Sequence, residues 1–270
     1  MSELNLSGVS NYIEENIWTS FHAKKLAKIQ DITLNDIIKR KNPYLFKAKN
    51  SQSASEFIKS VLDASLSSGE ETTFGNFMEQ IALFVCQQVY DGRKSGIKGV
   101  DLEFELDNVK HIVSIKSGPN WGNAGQIAQM LANFKTAQKT LQTSGGSKEF
   151  AFKFVEGCCY GTDANPNKGT HYKLCGQDFW KLISGGSETL YKDLIVPLGH
   201  KAKEQNDKIQ EASAQKLNTL TAEFVKNFCD DMGAINWDAL IEHNSGRKIP
   251  KVKIVTTPKR ARSKKADQKA

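Results

Sequence analysis

The stretch GVDLEFELDNVKHIVSIKSGPNWGN, Gly99 to Asn123, gathers the side chains of this sequence best suited to chemistry. Asp101, Glu103 and Glu105 alternate with Val100, Leu102 and Phe104, and Lys110, Ser114 and Lys116 alternate with His111, Val113 and Ile115. Asp107-Asn108 between them is a two-residue hairpin signal. With those two residues at the turn, Asp101 falls opposite Ser114, Glu103 opposite Ile112, and Glu105 opposite Lys110. Successive strand side chains point to opposite faces. One face then holds the apolar set with His111, and the other holds Asp101, Glu103, Glu105, Lys110, Ser114 and Lys116. Opposed residues have Cβ atoms about 4.5–5.5 Å apart, which brings Asp101 and Lys116 close enough to act on one phosphate group. A carboxylate can hold Mg²⁺, an ion that takes oxygen ligands and keeps several waters. A nearby Lys can orient or activate such a water, while the metal stabilises charge developing on phosphate and leaving oxygen. The competing reading is a solvent-facing sheet side laced with cross-strand ion pairs. It accounts well for Glu105 and Lys110 beside the turn. It accounts less well for Asp101, Ser114 and Lys116 at the far end, where SGPNWGN leads into a helix.

The elements that must position these residues are legible in outline. Apolar residues at helical spacing predict a helix over residues 8–28 and a short one over 33–40. Two more are predicted over 53–67 and 72–90, the second carrying the apolar face Phe74, Phe77, Ile81, Phe84, Val85 and Val89. After the hairpin come a helix over 123–142 capped by Asn123, strands near 150–159 and 170–175, and helices over 177–184, 187–195 and 201–229. Alternating strands and helices predict an α/β fold: a mixed central sheet flanked by helices. Residues 1–246 read as a single domain.

Composition narrows the class. The chain has 270 residues, 39% hydrophobic and 25% charged, the balance of a soluble globular protein. No apolar run approaches the roughly 20 residues that span a membrane, and the polar N-terminus is not a secretory signal. Five cysteines without a CxxC pair argue against a zinc cluster and for buried thiols in a reducing, cytoplasmic setting. Residues 247–270 carry ten Lys and Arg against one Asp, so this tail outweighs the whole chain's net charge of +7 and leaves the body slightly acidic. Such a tail is expected to be disordered and suits phosphate backbones without sequence preference.

The hairpin resembles the PD-(D/E)xK nuclease superfamily, whose motif is an Asp at the start of one strand and Asp/Glu-x-Lys on the next. Here these are GVD, ending at Asp101, and SIK, Ser114 to Lys116. Together with KRKNPYLFKAKN, IKSGPNWGN, CGQDFWKLISG and PLGHKAKE, the pattern resembles type II restriction endonucleases of the PmeII-like kind over residues 8–246. The resemblance implies a restriction-endonuclease-like core and Mg²⁺-dependent hydrolysis of double-stranded DNA, with Mn²⁺ as a substitute, leaving 5′-phosphate ends. It also implies a homodimer on a near-palindromic site and a cognate DNA methyltransferase as genetic partner. It casts Asp101 as metal ligand, Lys116 as the residue that positions water, and the Ile115 carbonyl as a further ligand. The departure is Ser114, where the usual acid is missing. Two acids can replace it: Glu103, two residues from Asp101 on the same face, and Glu79, on the preceding helix. The helix after the hairpin offers none, since Lys116 to Lys148 contains neither Asp nor Glu.

Candidate DNA contacts are the cations Arg40, Lys41, Lys47 and Lys49 around Tyr44 and Phe46. Asn120, Trp121, Asn123 and Gln126 follow the SIK strand, and His171 and Lys173 lie further on. Asn side chains can read adenine edges; the alternative for this group is a structural turn around a packed Trp. Two other functions remain open at this point: a structure-specific repair or recombination nuclease, and a non-catalytic DNA-binding protein that relies on its tail.

Overall fold

The computed structural model describes residues 2–144 and 151–247, so the basic tail from residue 248 onward lies outside the described residues. The chain begins with a continuous helical run: α1 (Leu6–Ile17), a π-helical turn (Trp18–His22) and α2 (Ala23–Asp31). Val9, Ile13 and Ile17 recur at helical spacing and are all buried, as an amphipathic period requires. Helix α3 (Leu34–Arg40) opens with a reciprocal capping box between Thr33 and Asp36. Helix α4 (Pro43–Ala48) opens on an Asn42 cap with Pro43 in its first turn.

The two helices expected over 53–67 and 72–90 are one helix, α5 (Ala54–Tyr90), of 37 residues. The Ser-Ser-Gly stretch that marks a break by local propensity is fastened from outside. Lys28 on α2 donates to the Ser65 carbonyl at 2.7 Å, and Lys25 pairs with Glu70 at 2.6 Å. Gly69 leaves room for this crossing, because a Cβ there would collide with the Lys28 ammonium. Tertiary contact thus overrides a weak helix propensity.

The sheet has five strands in sequence order: β1 (Arg93–Lys94), β2 (Leu102–Leu106), β3 (Val109–Lys116), β4 (Ala151–Cys158) and β5 (Tyr172–Cys175). Strands β1 to β3 are antiparallel, and β3 to β5 parallel, which is the mixed sheet expected. The hairpin has the expected register, with Glu103 opposite Ile112 and Glu105 opposite Lys110. Asp107 and Asn108 both have positive φ, 52° and 60°, as the tight hairpin turn that matches strand twist demands.

Helix α6 (Ala124–Ser144) links β3 to β4. Behind β5 follow α7 (Gln177–Ile183), α8 (Leu190–Asp193), α9 (Ile195–Leu198), α10 (Ala202–Phe228) and α11 (Trp237–Ser245); the last was not anticipated from sequence. Helices cover both sheet faces. On one, Leu102, Phe104, Val113, Ile115 and Val155 pack with α1, α5 and α7. On the other, Ile112 packs with Met130, Phe134 and Ala137 of α6. The face expected to carry mostly charge is therefore roofed. Val100, expected on the opposite face, joins this α6 side, because it sits in a turn before β2 with its amide on the Ile97 carbonyl. A further core joins α3, α4, the first half of α5, the end of α10 and α11. Trp180 is buried, and the four cysteines other than Cys229 are buried free thiols, as expected for the cysteines. Among the described residues no helix is long and apolar enough to cross a membrane.

Candidate active site

Asp101 stands just before β2, where the two hairpin strands begin to part. Its backbone amide still donates to the Val113 carbonyl at 2.9 Å. Its side chain takes over the next ladder position: Oδ2 accepts from the Ile115 amide at 2.7 Å and from Ser114 Oγ at 3.3 Å. Gly99, two residues earlier, has φ +79°, and a Cβ there would run into Asn133 of α6. A side chain at that position would be strained by the positive φ and would have to displace the Asn133 side chain.

Ser114 and Lys116 lie two residues apart on β3 and so share a face. Lys116 Nζ donates to Ser114 Oγ at 2.7 Å and lies 3.8 Å from Asp101 Oδ2. Where the superfamily motif carries an acid, this chain carries a nearly inaccessible hydroxyl that bridges the amine and the carboxylate. The Lys116 ammonium also rests over the Trp121 ring, 4.8 Å from its centroid, a favourable cation–π distance. Asp101, Ser114, Lys116 and Trp121 thus form one group. Beside it, Ser117, Gly118, Pro119, Asn120 and Trp121 line a cleft of about 520 Å³ against Glu71, Thr72 and Phe74 of α5.

The two candidate replacement acids are engaged elsewhere. Glu79 pairs with Lys94 at 3.2 Å. Glu103 accepts from Arg93 Nε at 3.1 Å through Oε1, while its Oε2 is buried and has no partner among the described residues. No group of three or more His, Cys, Asp or Glu that could hold a metal occurs among the described residues. The donor set still fits Mg²⁺, which is commonly held by one or two carboxylates together with waters and substrate phosphate oxygens. Asp101 Oδ1 receives no hydrogen bond among the described residues, and the buried Glu103 Oε2 is likewise without a partner there. The Ile115 group that meets Asp101 is its amide; nothing described here engages its carbonyl with the site.

The remaining candidates separate into three places. Arg40, Lys41, Lys47 and Lys49 sit on α3, α4 and their C-terminal ends, outside the second helical core; Lys41 is half-buried and the other three are exposed. Lys41 donates to the Ala64 carbonyl at 2.9 Å, and Lys47 lies over the Trp237 ring. Of the two aromatics between them, Phe46 is buried and Tyr44 exposed. Asn120 is exposed in the cleft. Asn123 and Gln126 cap α6 reciprocally: Gln126 N donates to Asn123 Oδ1 at 3.1 Å, and Asn123 N to Gln126 Oε1 at 2.9 Å. Their side chains are occupied by the helix end, the capping-box arrangement. His171 and Lys173 are not open to a ligand, since both turn inward to Glu156 on β4.

Glu156 is the residue the sequence reading missed. It stands beside Ser114 in the parallel ladder and is 2% exposed. Its Oε1 accepts from Trp121 Nε1 at 2.8 Å and from Lys173 Nζ at 3.0 Å, and His171 Nε2 lies 3.2 Å from Oε2. Burial opposes its ionisation, but the hydrogen bonds from His171, Trp121 and Lys173, with the charge of Lys173, hold it down to about 2. With both oxygens taken, it is an anchor rather than an open ligand.

Residues 7–206 match the family model described as type II restriction endonuclease EcoO109I. No curated protein matches the chain. The matched span holds the whole sheet and the Asp101–Ser114–Lys116 group. It agrees with the restriction endonuclease resemblance seen in the sequence, while the PmeII-like subgroup is not the one it names.

Proposed function

The chain belongs to the EcoO109I family of type II restriction endonucleases, which are site-specific deoxyribonucleases, and on that premise we propose that it hydrolyses double-stranded DNA with Mg²⁺ from the Asp101–Ser114–Lys116 group, leaving 5′-phosphate ends. The observation that carries this reading is the Lys116 ammonium held 2.7 Å from Ser114 Oγ and 3.8 Å from Asp101 Oδ2. Asp101 would hold the ion through its open oxygen, with Glu103 as second acid and Glu79 as the alternative. When bound, Mg²⁺ supplies charge stabilisation for the phosphate and leaving oxygen. Lys116 orients the attacking water, and Ser114 keeps the amine in place without adding charge. Mn²⁺ is proposed as a substitute ion.

We also propose two-fold assembly on a near-palindromic site, in which protein symmetry would match two half-sites. A cognate methyltransferase is the expected genetic partner, and a reducing cytoplasm suits the free thiols. We take residues 1–246 as one nuclease unit, with the basic tail adding sequence-independent affinity. Arg40, Lys47, Lys49 and Asn120 are exposed candidates for DNA contact, as are Asn123 and Gln126, whose side chains also cap α6.

The test is a digest of plasmid and phage DNAs of diverse sequence, with Mg²⁺ or with EDTA, beside a Lys116→Ala variant. Discrete bands that need Mg²⁺ and vanish in the variant are expected. Cleavage confined to flaps or junctions would assign a repair nuclease instead, and binding without any cleavage would reduce the protein to a DNA-binding module.

A further inference from the structure

Trp121 presents its ring face to Lys116 at 4.8 Å and its Nε1–H to Glu156 at 2.8 Å, so one side chain links the reactive amine to a buried carboxylate on the next strand. The anchor extends beyond this one bond. Lys173 on β5 bonds Glu156 at 3.0 Å and, with the same ammonium, the Pro119 carbonyl at 2.7 Å. The loop after the SIK strand is therefore tied down twice, at Pro119 and at Trp121. His171 closes the other oxygen of Glu156, and Thr170 Oγ1 lies 3.1 Å from His171 Nδ1.

We infer that Glu156, held by Lys173 and His171, is a positioning residue for Lys116: it fixes the Trp121 indole so that the ring face seats the Lys116 ammonium beside Ser114 and Asp101. This rests on the proposed role of Lys116. The physical reasons are two. An ammonium on a four-carbon stem has much rotamer freedom to lose, and this site lacks the strand acid that would otherwise hold it electrostatically. The indole face supplies attraction without competing for the water or the phosphate. A Trp can do this only if its plane is fixed, which a 2.8 Å hydrogen bond to a buried, ionised carboxylate achieves. The inference replaces DNA contact as the principal role of Trp121, and it explains why His171 and Lys173 face inward.

The test uses the full chain and a duplex that the wild-type protein cuts. The kcat and KM values would be compared for wild type, Trp121→Phe, Trp121→Leu and Lys116→Ala, with thermal melts to verify folding. Trp121→Phe keeps the ring and loses the anchor, and kcat is expected to fall about tenfold; Trp121→Leu loses both, and a fall of about 100-fold is expected. In both, KM stays within about twofold, because the loss lies in positioning rather than binding. Raised KM at unchanged kcat would return Trp121 to DNA contact and overturn the inference. Wild-type kcat in Trp121→Leu, with Lys116→Ala inactive, would overturn it while leaving the active-site reading intact. Cleavage by Lys116→Ala at the wild-type rate would sink both. If Trp121→Leu fails to fold, Trp121→Phe decides alone: reduced kcat supports the anchor, and wild-type kcat refutes it.

Discussion

Replacing Glu156 by Gln should change how stability depends on acid, and the size of the effect follows from the geometry. The Glu156 carboxyl is held at about 2 instead of an ordinary 4.5. Each tenfold change in proton affinity is worth about 1.4 kcal/mol. The ionised side chain therefore contributes about 3 kcal/mol to folding at pH values above 4.5, and this contribution fades as pH falls from 4.5 towards 2. Glu156→Gln keeps the size and can still accept from Trp121, but it leaves Lys173 without its buried counter-charge. Urea unfolding of wild type and variant at pH 7, 5, 4 and 3 would give the difference directly. The expected gap is about 3 kcal/mol at pH 7, unchanged at pH 5, and narrowing below 4.5. The many surface carboxylates titrate in both proteins and cancel in the comparison. A gap that stays constant from pH 7 to 3, or one near zero at pH 7, would refute an ionised, hydrogen-bonded Glu156.

Other outcomes can be checked alongside. Ser114→Ala removes a hydroxyl that bonds a charged amine, worth about 1.5–3 kcal/mol, so single-turnover cleavage should slow roughly 10- to 100-fold if that bond persists in the transition state. Phe134→Ala empties the roof that α6 places over Ile112 and should cost about 3–5 kcal/mol by denaturant titration. Gly69→Ala gains about 1 kcal/mol of helix propensity but displaces the Lys28 ammonium from Ser65; a melting temperature below wild type is expected, and one above it would show that the crossing is dispensable.

The hairpin was readable from sequence because three signals coincide there. A two-residue turn fixes register, strict alternation fixes faces, and the charges fall into one set. The same reading went wrong wherever a partner distant in sequence decided the outcome. The Ser-Ser-Gly stretch looks like a helix break until Lys28 and Lys25 are seen gripping it from α2. Val100 failed for a local reason instead: it obeys the alternation on paper, but its amide bonds the Ile97 carbonyl in a turn. Helix α11 has a good Asn236 cap yet is short, and its Leu240 finds its place only in a core built with α3, α4, α5 and α10.

Glu156 shows this limit at the site itself. In sequence it is one acid in an apolar run, 40 residues beyond Lys116 in chain order. His171 and Lys173 read equally well as surface contacts, since both leave a polar loop. What makes them a unit is the parallel pairing of β4 with β3 on one side and β5 on the other, which no local pattern reveals. The motif acid is missing at Ser114, and the carboxylate beside it in the parallel ladder, Glu156, is fully occupied by hydrogen bonds. A chain that gives up the motif carboxylate also gives up an electrostatic hold on its lysine. The Ser114 hydroxyl and the indole fixed by Glu156 both bear on that amine, so the departure from the motif and the buried cluster behind it answer one physical need.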